Sequence, residues 1–229
     1  MAGDRSKQIK NIKRICLAGC AALFIFLYVN GALEHSKIVN LDVNASDQAA
    51  YLSYAKNLYE TDYNLVGGRN RMPVYPMLLS LIYNPNLTQN QFFDRSKVFN
   101  IALSAALLPS LFLLFRRIFP FALSANLWLI ITFTVFIFKA GYAQTELLFY
   151  FLNFCAFLMM YKMLKEPGLK LGILTGLVLG IAHLTKASVM PGLAIFGLFF
   201  IIKEIYSSFN SEKDPAQKQV GLIDKIKQI

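Results

Sequence analysis

Charge is what this sequence has little of: Asp, Glu, Lys and Arg make up 16% of its 229 residues, against about a quarter in an ordinary soluble domain. The three cysteines, Cys16, Cys20 and Cys155, all fall in apolar stretches, which excludes a disulfide framework or a cysteine metal site. Of the two histidines, His183 lies one turn from Lys186, has no partner carboxylates that define a metal site, and reads as a hydrogen-bonded helix residue, while His35 is uninformative. There is no internal repeat and no low-complexity segment. Acidic residues number 13 against 23 basic ones, a net charge of +10. No basic patch on a soluble fold accompanies that excess, so nucleic acid is excluded as a partner.

What is present is apolar sequence in long blocks. The chain is 56% hydrophobic with a mean hydropathy of +0.47, which indicates an integral membrane protein. Six segments read as spans: Ile15–Val29 with flanks, Val98–Phe115, Phe119–Phe138, Leu147–Met163, Leu171–Leu184 with flanks, and Val189–Ile202 with flanks. Alternating them from a cytoplasmic N-terminus puts Arg5, Lys7, Lys10, Lys13, Arg14, Arg116, Arg117, Lys162, Lys165 and Lys170 on the inner side, as the preference of basic residues for the cytoplasm requires. Residues 1–14 form a basic cytoplasmic arm and 203–229 a mixed-charge cytoplasmic tail. Leu17-Ala18-Gly19-Cys20 resembles a lipoprotein box, but its apolar run follows the box instead of preceding it. The first span is therefore expected to be a retained signal anchor.

The long outer segment, residues 31–97, has internal order. Ser46 is placed to cap a helix that starts at Asp47. Tyr51, Tyr54, Ala55, Leu58 and Tyr59 recur at helical spacing, with Gln48, Ser53, Lys56 and Asn57 largely elsewhere, the pattern of a helix lying on the membrane surface. Gly67-Gly68 breaks the chain. Pro73 and Pro76 then sit near the start of a second short helix, because proline is tolerated in a first turn. Met77–Tyr83 is too short to span, and Asn84-Pro85-Asn86 stops it. Asn44-Ala45-Ser46 and Asn86-Leu87-Thr88 are glycosylation sequons on the outer side.

Four elements share one order along the chain: Ser46-Asp47-Gln48-Ala49-Ala50-Tyr51 after the first span, Arg71-Met72-Pro73-Val74-Tyr75-Pro76, Gln144-Thr145-Glu146-Leu147-Leu148 opening a later span, and Gly176–Lys186, a glycine-rich span ending in Leu-Thr-Lys. This combination resembles the GT-C membrane glycosyltransferases that use polyprenyl-phosphate sugars, in particular protein O-mannosyltransferases and lipid A aminoarabinose transferases. The resemblance covers most of residues 15–202. It implies an all-α polytopic membrane protein of about six transmembrane helices, with two short amphipathic helices in the first extracytoplasmic loop. It implies a bilayer partner, a polyprenyl-phosphate-sugar donor and a hydroxyl acceptor of unassigned identity. The membrane is the bacterial inner or plasma membrane or the ER membrane, with the active face extracytoplasmic. No particular cofactor is implied, and a divalent metal is left open. The chain departs from the pattern at Gln48, where the family has a second acid, and in its span number, which is that of an N-terminal portion or a truncated member.

The chemistry can be stated without the family. Transfer of a sugar from a lipid phosphate needs a carboxylate within reach of the acceptor hydroxyl and guanidinium or ammonium groups for the phosphate. Asp47 is the expected base, with Asp42 its rival. Arg71, Arg69 and Lys186 are the expected phosphate contacts, and Tyr51, Tyr75 and Glu146 the expected lining, with Tyr142 a further candidate. The structural alternative for Asp47 is a helix-end charge paired with Lys56 or an arginine. For Arg69 and Arg71 it is contact with lipid headgroups or pairing with Glu60 and Asp62. Two other functions fit the same sequence: a transporter or flippase for lipid-linked glycans, and a non-catalytic membrane subunit. The first should carry polar groups deep inside several spans, and here the charges gather at one face.

Overall fold

The computed structural model describes residues 2–64 and 71–213. Gly67, Gly68, Arg69 and the 214–229 part of the tail lie outside the described residues. Among those described, every regular element is helical: α1 (Ala2–Val39), α2 (Gln48–Glu60), α3 (Val74–Ser80), α4 (Gln89–Ile118), α5 (Phe121–Ile131), α6 (Ile137–Ala140), α7 (Glu146–Lys165), α8 (Leu169–Thr185) and α9 (Met190–Lys213). A π turn, Thr132–Phe136, joins α5 to α6, and short 3-10 turns occupy Val43–Ala45 and Ala187–Val189.

Five stretches are long and apolar enough to cross a membrane: Arg14–Val39, Gln89–Ile118, Phe121–Ala140, Glu146–Lys165 and Ala187–Ser208. Their large apolar side chains, among them Leu23, Phe26, Leu113 and Phe199, are exposed on the protein surface, as lipid-facing residues must be. The chain is an integral membrane protein. The sixth expected segment forms α8, whose 17 residues rise only about 25 Å.

Two helix boundaries differ from the hydropathy reading, each for a local reason. α1 runs on from Val29 to Val39. Asn30 stays in the helix by donating its Nδ2 to the Phe26 carbonyl at 2.8 Å, and Lys37 pairs with Glu34 at 2.7 Å. α4 begins at Gln89, well before Val98, because Thr88 and Gln91 form a capping box. The Gln91 N–H donates to Thr88 Oγ1 at 3.3 Å, and the Thr88 N–H donates to Gln91 Oε1 at 2.9 Å. The segment between these two long helices is thus 40–88. Thr88→Ala is expected to cost about 1 kcal/mol, read as a drop of about 2–4 °C in the melting temperature of the purified protein in detergent. Thr88→Ser should restore it.

The chain divides into two compact units, residues 1–151 and 152–229. In the first, α1 packs against α4 and α6. The Tyr28 hydroxyl meets Ser104 Oγ at 2.6 Å, so two polar groups buried in apolar surroundings satisfy each other. Where α6 ends, Gly141 approaches α1 so closely that a Cβ there would lie 2.6 Å from the Cβ of Ser36. Only glycine fits this crossing. In the second unit, α8 and α9 are joined through the Ala187–Val189 turn.

The amphipathic stripe of α2 has a different use from the one its periodicity suggests. Tyr51, Leu52, Tyr54, Ala55 and Leu58 are buried, and α2 packs against α3, so this face meets protein instead of a membrane surface. Tyr59 is 43% exposed and Gln48 is fully buried, the reverse of the helical-wheel assignment. The second short helix starts at Val74, with Pro73 as its N-cap and Pro76 in its first turn as the prolines led one to expect, and it ends at Ser80, short of Tyr83.

Candidate functional site

The site is built where the end of α1, the start of α2, the start of α3 and the loop into α7 meet. Its frame is a set of buried amides. Gln48 and Asn40 face each other reciprocally, each Nδ2 or Nε2 donating to the other's oxygen at 2.8 Å. Asn40 Nδ2 also donates to the Gly141 carbonyl at 2.8 Å, and the Ala143 N–H donates to Gln48 Oε1 at 2.8 Å. The backbone decides these orientations. A carbonyl can only accept and an N–H can only donate, so Gly141 fixes Asn40 and Ala143 fixes Gln48. Asn100 repeats the device on α4, donating Nδ2 to the carbonyls of Ala140 at 3.0 Å and Tyr142 at 2.7 Å. Lys97, nearly buried, donates to the Asn40 carbonyl at 3.2 Å and pairs with Asp94 at 2.7 Å.

This frame surrounds the candidate side chains. Asp47 is the N-cap residue of α2, but its carboxylate makes no cap hydrogen bond. It reaches Arg71 instead and forms an ion pair. The Ser46 cap expected from the sequence is absent, because the Ser46 hydroxyl accepts from Gln144 Nε2 at 3.0 Å. The Arg71 guanidinium lies over the Tyr51 ring, 5.4 Å from its centroid, a cation–π arrangement. Tyr51 meets Tyr75 edge-on at 5.6 Å between centroids, and its hydroxyl lies 3.4 Å from Thr145 Oγ1. Tyr75 is fully buried and donates its hydroxyl to Asn100 Oδ1 at 3.1 Å. Glu146 opens α7 and is half-buried, and its charge acts on the Tyr75 hydroxyl.

No protein-family model, curated protein or solved structure matches the chain.

Of the residues selected from the sequence, the structure thus brings together Asp47, Arg71, Tyr51, Tyr75 and Glu146. Asp42 stands apart in role: its carboxylate accepts from the Asn44 N–H at 2.8 Å and caps its own 3-10 turn. Arg69 lies outside the described residues. Lys186 belongs to the second unit, where it is half-buried and its N–H closes α8 on the Ala182 carbonyl at 2.9 Å. Lys56 pairs with Glu60 at 3.8 Å and not with Asp47. A cleft of about 280 Å³ opens between α2 and the start of α4, lined by Leu52, Ser53, Lys56, Tyr83, Thr88 and Phe92 among others, and neither Asp47 nor Arg71 lines it. Among the described residues, no group of three or more His, Cys, Asp or Glu side chains converges on one point.

Sequence reasoning missed the frame: Asn40, Gln48, Asn100 and Gly141. Polar residues at the ends of apolar runs were the available signal, since a buried amide there must find backbone partners.

Tyr75 supplies a pH prediction. Burial first, then the charge of Glu146 and then Tyr51, pushes its hydroxyl well above the usual tyrosine value of 10.0. A raised folded-state pKa means the folded protein holds the proton more tightly than the unfolded chain does. The Tyr75 contribution to stability is therefore fully present below about pH 10 and is lost as pH rises through the raised value. Alkaline titration followed by tyrosinate absorbance is expected to show one class of tyrosine that ionises only as the protein unfolds. Tyr28 is also fully buried, so Tyr75→Phe should take one tyrosine out of that class and cost about 1–2 kcal/mol, because Asn100 Oδ1 loses its donor.

Proposed function

We propose that this chain is an integral membrane glycosyltransferase. It moves a sugar from a polyprenyl-phosphate donor to a hydroxyl of a protein, lipid or glycan on the extracytoplasmic face. The observation that carries this reading is the convergence of Asp47 and Arg71. An exposed carboxylate and a guanidinium held on an aromatic ring, far apart in sequence, meet outside the long apolar helices.

The chemistry follows from the groups. Asp47 accepts the proton of the acceptor hydroxyl as its oxygen attacks the anomeric carbon. The bond from that carbon to the phosphate oxygen breaks, and the polyprenyl phosphate leaves with the electron pair. Arg71 faces the charge that develops on the departing phosphate, where a fixed cation is most effective. Tyr51 carries the guanidinium and Tyr75 supports Tyr51. Glu146 adds a second carboxylate near the tyrosines, on α7 and not next to Asp47.

In this reading α8 is a sixth, short span, and the N-terminus is cytoplasmic. That arrangement keeps Arg116, Arg117, Lys162 and Lys165 on the inner side and puts α2 and α3 in the first outer loop, at the depth of lipid headgroups. The membrane is the bacterial inner or plasma membrane or the ER membrane.

The test is transfer of radiolabelled sugar from polyprenyl-phosphate donors by the full chain in proteoliposomes. Transfer to any hydroxyl acceptor supports the enzyme reading. Binding of a donor without transfer from any of them points to the non-catalytic subunit, and movement of the lipid across the bilayer without transfer points to the flippase.

A further inference from the structure

We propose that the Asp47–Arg71 ion pair is a resting-state lock that the donor's phosphate opens. The phosphate takes the Arg71 guanidinium, and Asp47 is released to the acceptor hydroxyl. The inference rests on the reading above of the same two residues and adds to it an order of events: donor first, acceptor second.

Three observations carry it. The first is what the Asp47 carboxylate does. It sits at the head of α2 yet makes no hydrogen bond to that helix, so the ion pair with Arg71 is what orients it. The guanidinium engages Asp47 Oδ1 and so occupies an acceptor site that an incoming hydroxyl would need. As the structure stands, that oxygen of the base is already taken.

The second is the asymmetry of the pair. The Arg71 side chain is 23% exposed and that of Asp47 63%. Arg71 is anchored on Tyr51, which in turn leans on Tyr75 and Thr145. When the pair opens, Arg71 stays and Asp47 moves. The phosphate therefore finds its cation already placed, and the freed carboxylate lies beside it.

The third is the balance of affinities. A pair with one partner this exposed is weakened by solvent. A phosphate offers the guanidinium fork two oxygens in a charge-assisted geometry. Exchange of a carboxylate for a phosphate on the same guanidinium is then an exchange of like for like in charge, with the advantage on the phosphate side. If Asp47 and the phosphate compete for Arg71, removing the carboxylate charge must strengthen phosphate binding. If Asp47 instead positions Arg71 for the phosphate, removing it must weaken binding. The two roles predict opposite signs.

The experiment measures the affinity of undecaprenyl phosphate for the full chain in nanodiscs, with inorganic phosphate as a competitor to separate headgroup recognition from lipid recognition. Asp47→Asn is expected to bind about two- to fivefold tighter than the unaltered chain, and Arg71→Gln at least tenfold more weakly. Binding by the unaltered chain with an equal or weaker Asp47→Asn variant overturns the lock and leaves the donor reading standing. Absence of binding in both the unaltered chain and Asp47→Asn removes the donor reading, and the lock with it. A second measurement needs no variant. Carbodiimide labelling of Asp47 in the unaltered chain, read by mass spectrometry, should rise when undecaprenyl phosphate is added. Unchanged or reduced labelling at saturating lipid overturns the lock.

Discussion

Asp47→Asn is expected to lower sugar transfer by about 10²- to 10⁴-fold, the usual contribution of a positioned general base. The asparagine is nearly the same shape and can still accept a hydrogen bond from Arg71, but it cannot take a proton. The magnitude separates this effect from instability. Asp47 is largely exposed and its visible contribution to the fold is the pair with Arg71, worth about 0.2–1 kcal/mol for a pair this open to solvent. The amount of folded protein recovered by size exclusion in detergent should therefore hardly change. A rate within about threefold of the unaltered chain, at equal folded protein, would sink the base assignment. Asp42→Asn is the matched control. That residue caps a 3-10 turn, and an asparagine there still accepts the Asn44 N–H, so both stability and the rate per folded molecule are expected to stay unchanged.

Gln48→Ala is expected to have the largest effect on stability, a fall of about 6–12 °C in melting temperature. Gln48 is fully buried. Removing its amide leaves the Ala143 N–H without its acceptor and takes one partner from each end of the Asn40 amide. Buried groups left unsatisfied cost about 1–3 kcal/mol, so a total near 3 kcal/mol is reasonable, at about 2–4 °C per kcal/mol for a chain of this size. Gln48→Glu tests the reason a glutamine stands where the resembled family has an acid. A glutamate keeps the acceptor for Ala143 but loses the donor to Asn40 Oδ1. Asn40 cannot turn to compensate, because its own Nδ2 is held by the Gly141 carbonyl. It also places a charge where there is no solvent. Gln48→Glu should therefore be no more stable than Gln48→Ala. A glutamate variant that melts with the unaltered chain would show that the position tolerates a carboxylate and that the amide network is not what holds the loop.

These two residues are adjacent, and the contrast between them shows how far the sequence reaches. Asp47 was legible as a functional candidate because an exposed acid at a helix start has chemistry whatever its neighbours are. Gln48 was misassigned to the outer face of α2, because a helical wheel knows only the helix and not what is packed against it. Tyr59 fails in the opposite direction for the same reason. Tyr51, Tyr54, Ala55 and Leu58 of the stripe are buried, but the wheel cannot say whether a membrane surface or α3 covers them.

Boundaries followed the same division. Hydropathy finds the apolar centre of α1 but not its polar continuation to Val39, which is held by a local hydrogen bond from Asn30 and the Glu34–Lys37 ion pair. The start of α4 was written in the sequence as Thr88-x-x-Gln91 and could have been read there, since a capping box is a local signal.

By itself, then, the sequence determined the membrane class, the helical content and the chemically capable side chains. Each of these depends on composition or on spacing within a single segment. Only the tertiary structure decided that Asp47 and Arg71 meet, that Asp42 does not join them, and that Asn40, Gln48, Asn100 and Gly141 hold the site together. Such pairings join residues up to about a hundred positions apart, and they depend on where the backbone places its carbonyls and N–H groups. Buried polar atoms must satisfy one another across that distance, and no periodicity within one helix records it.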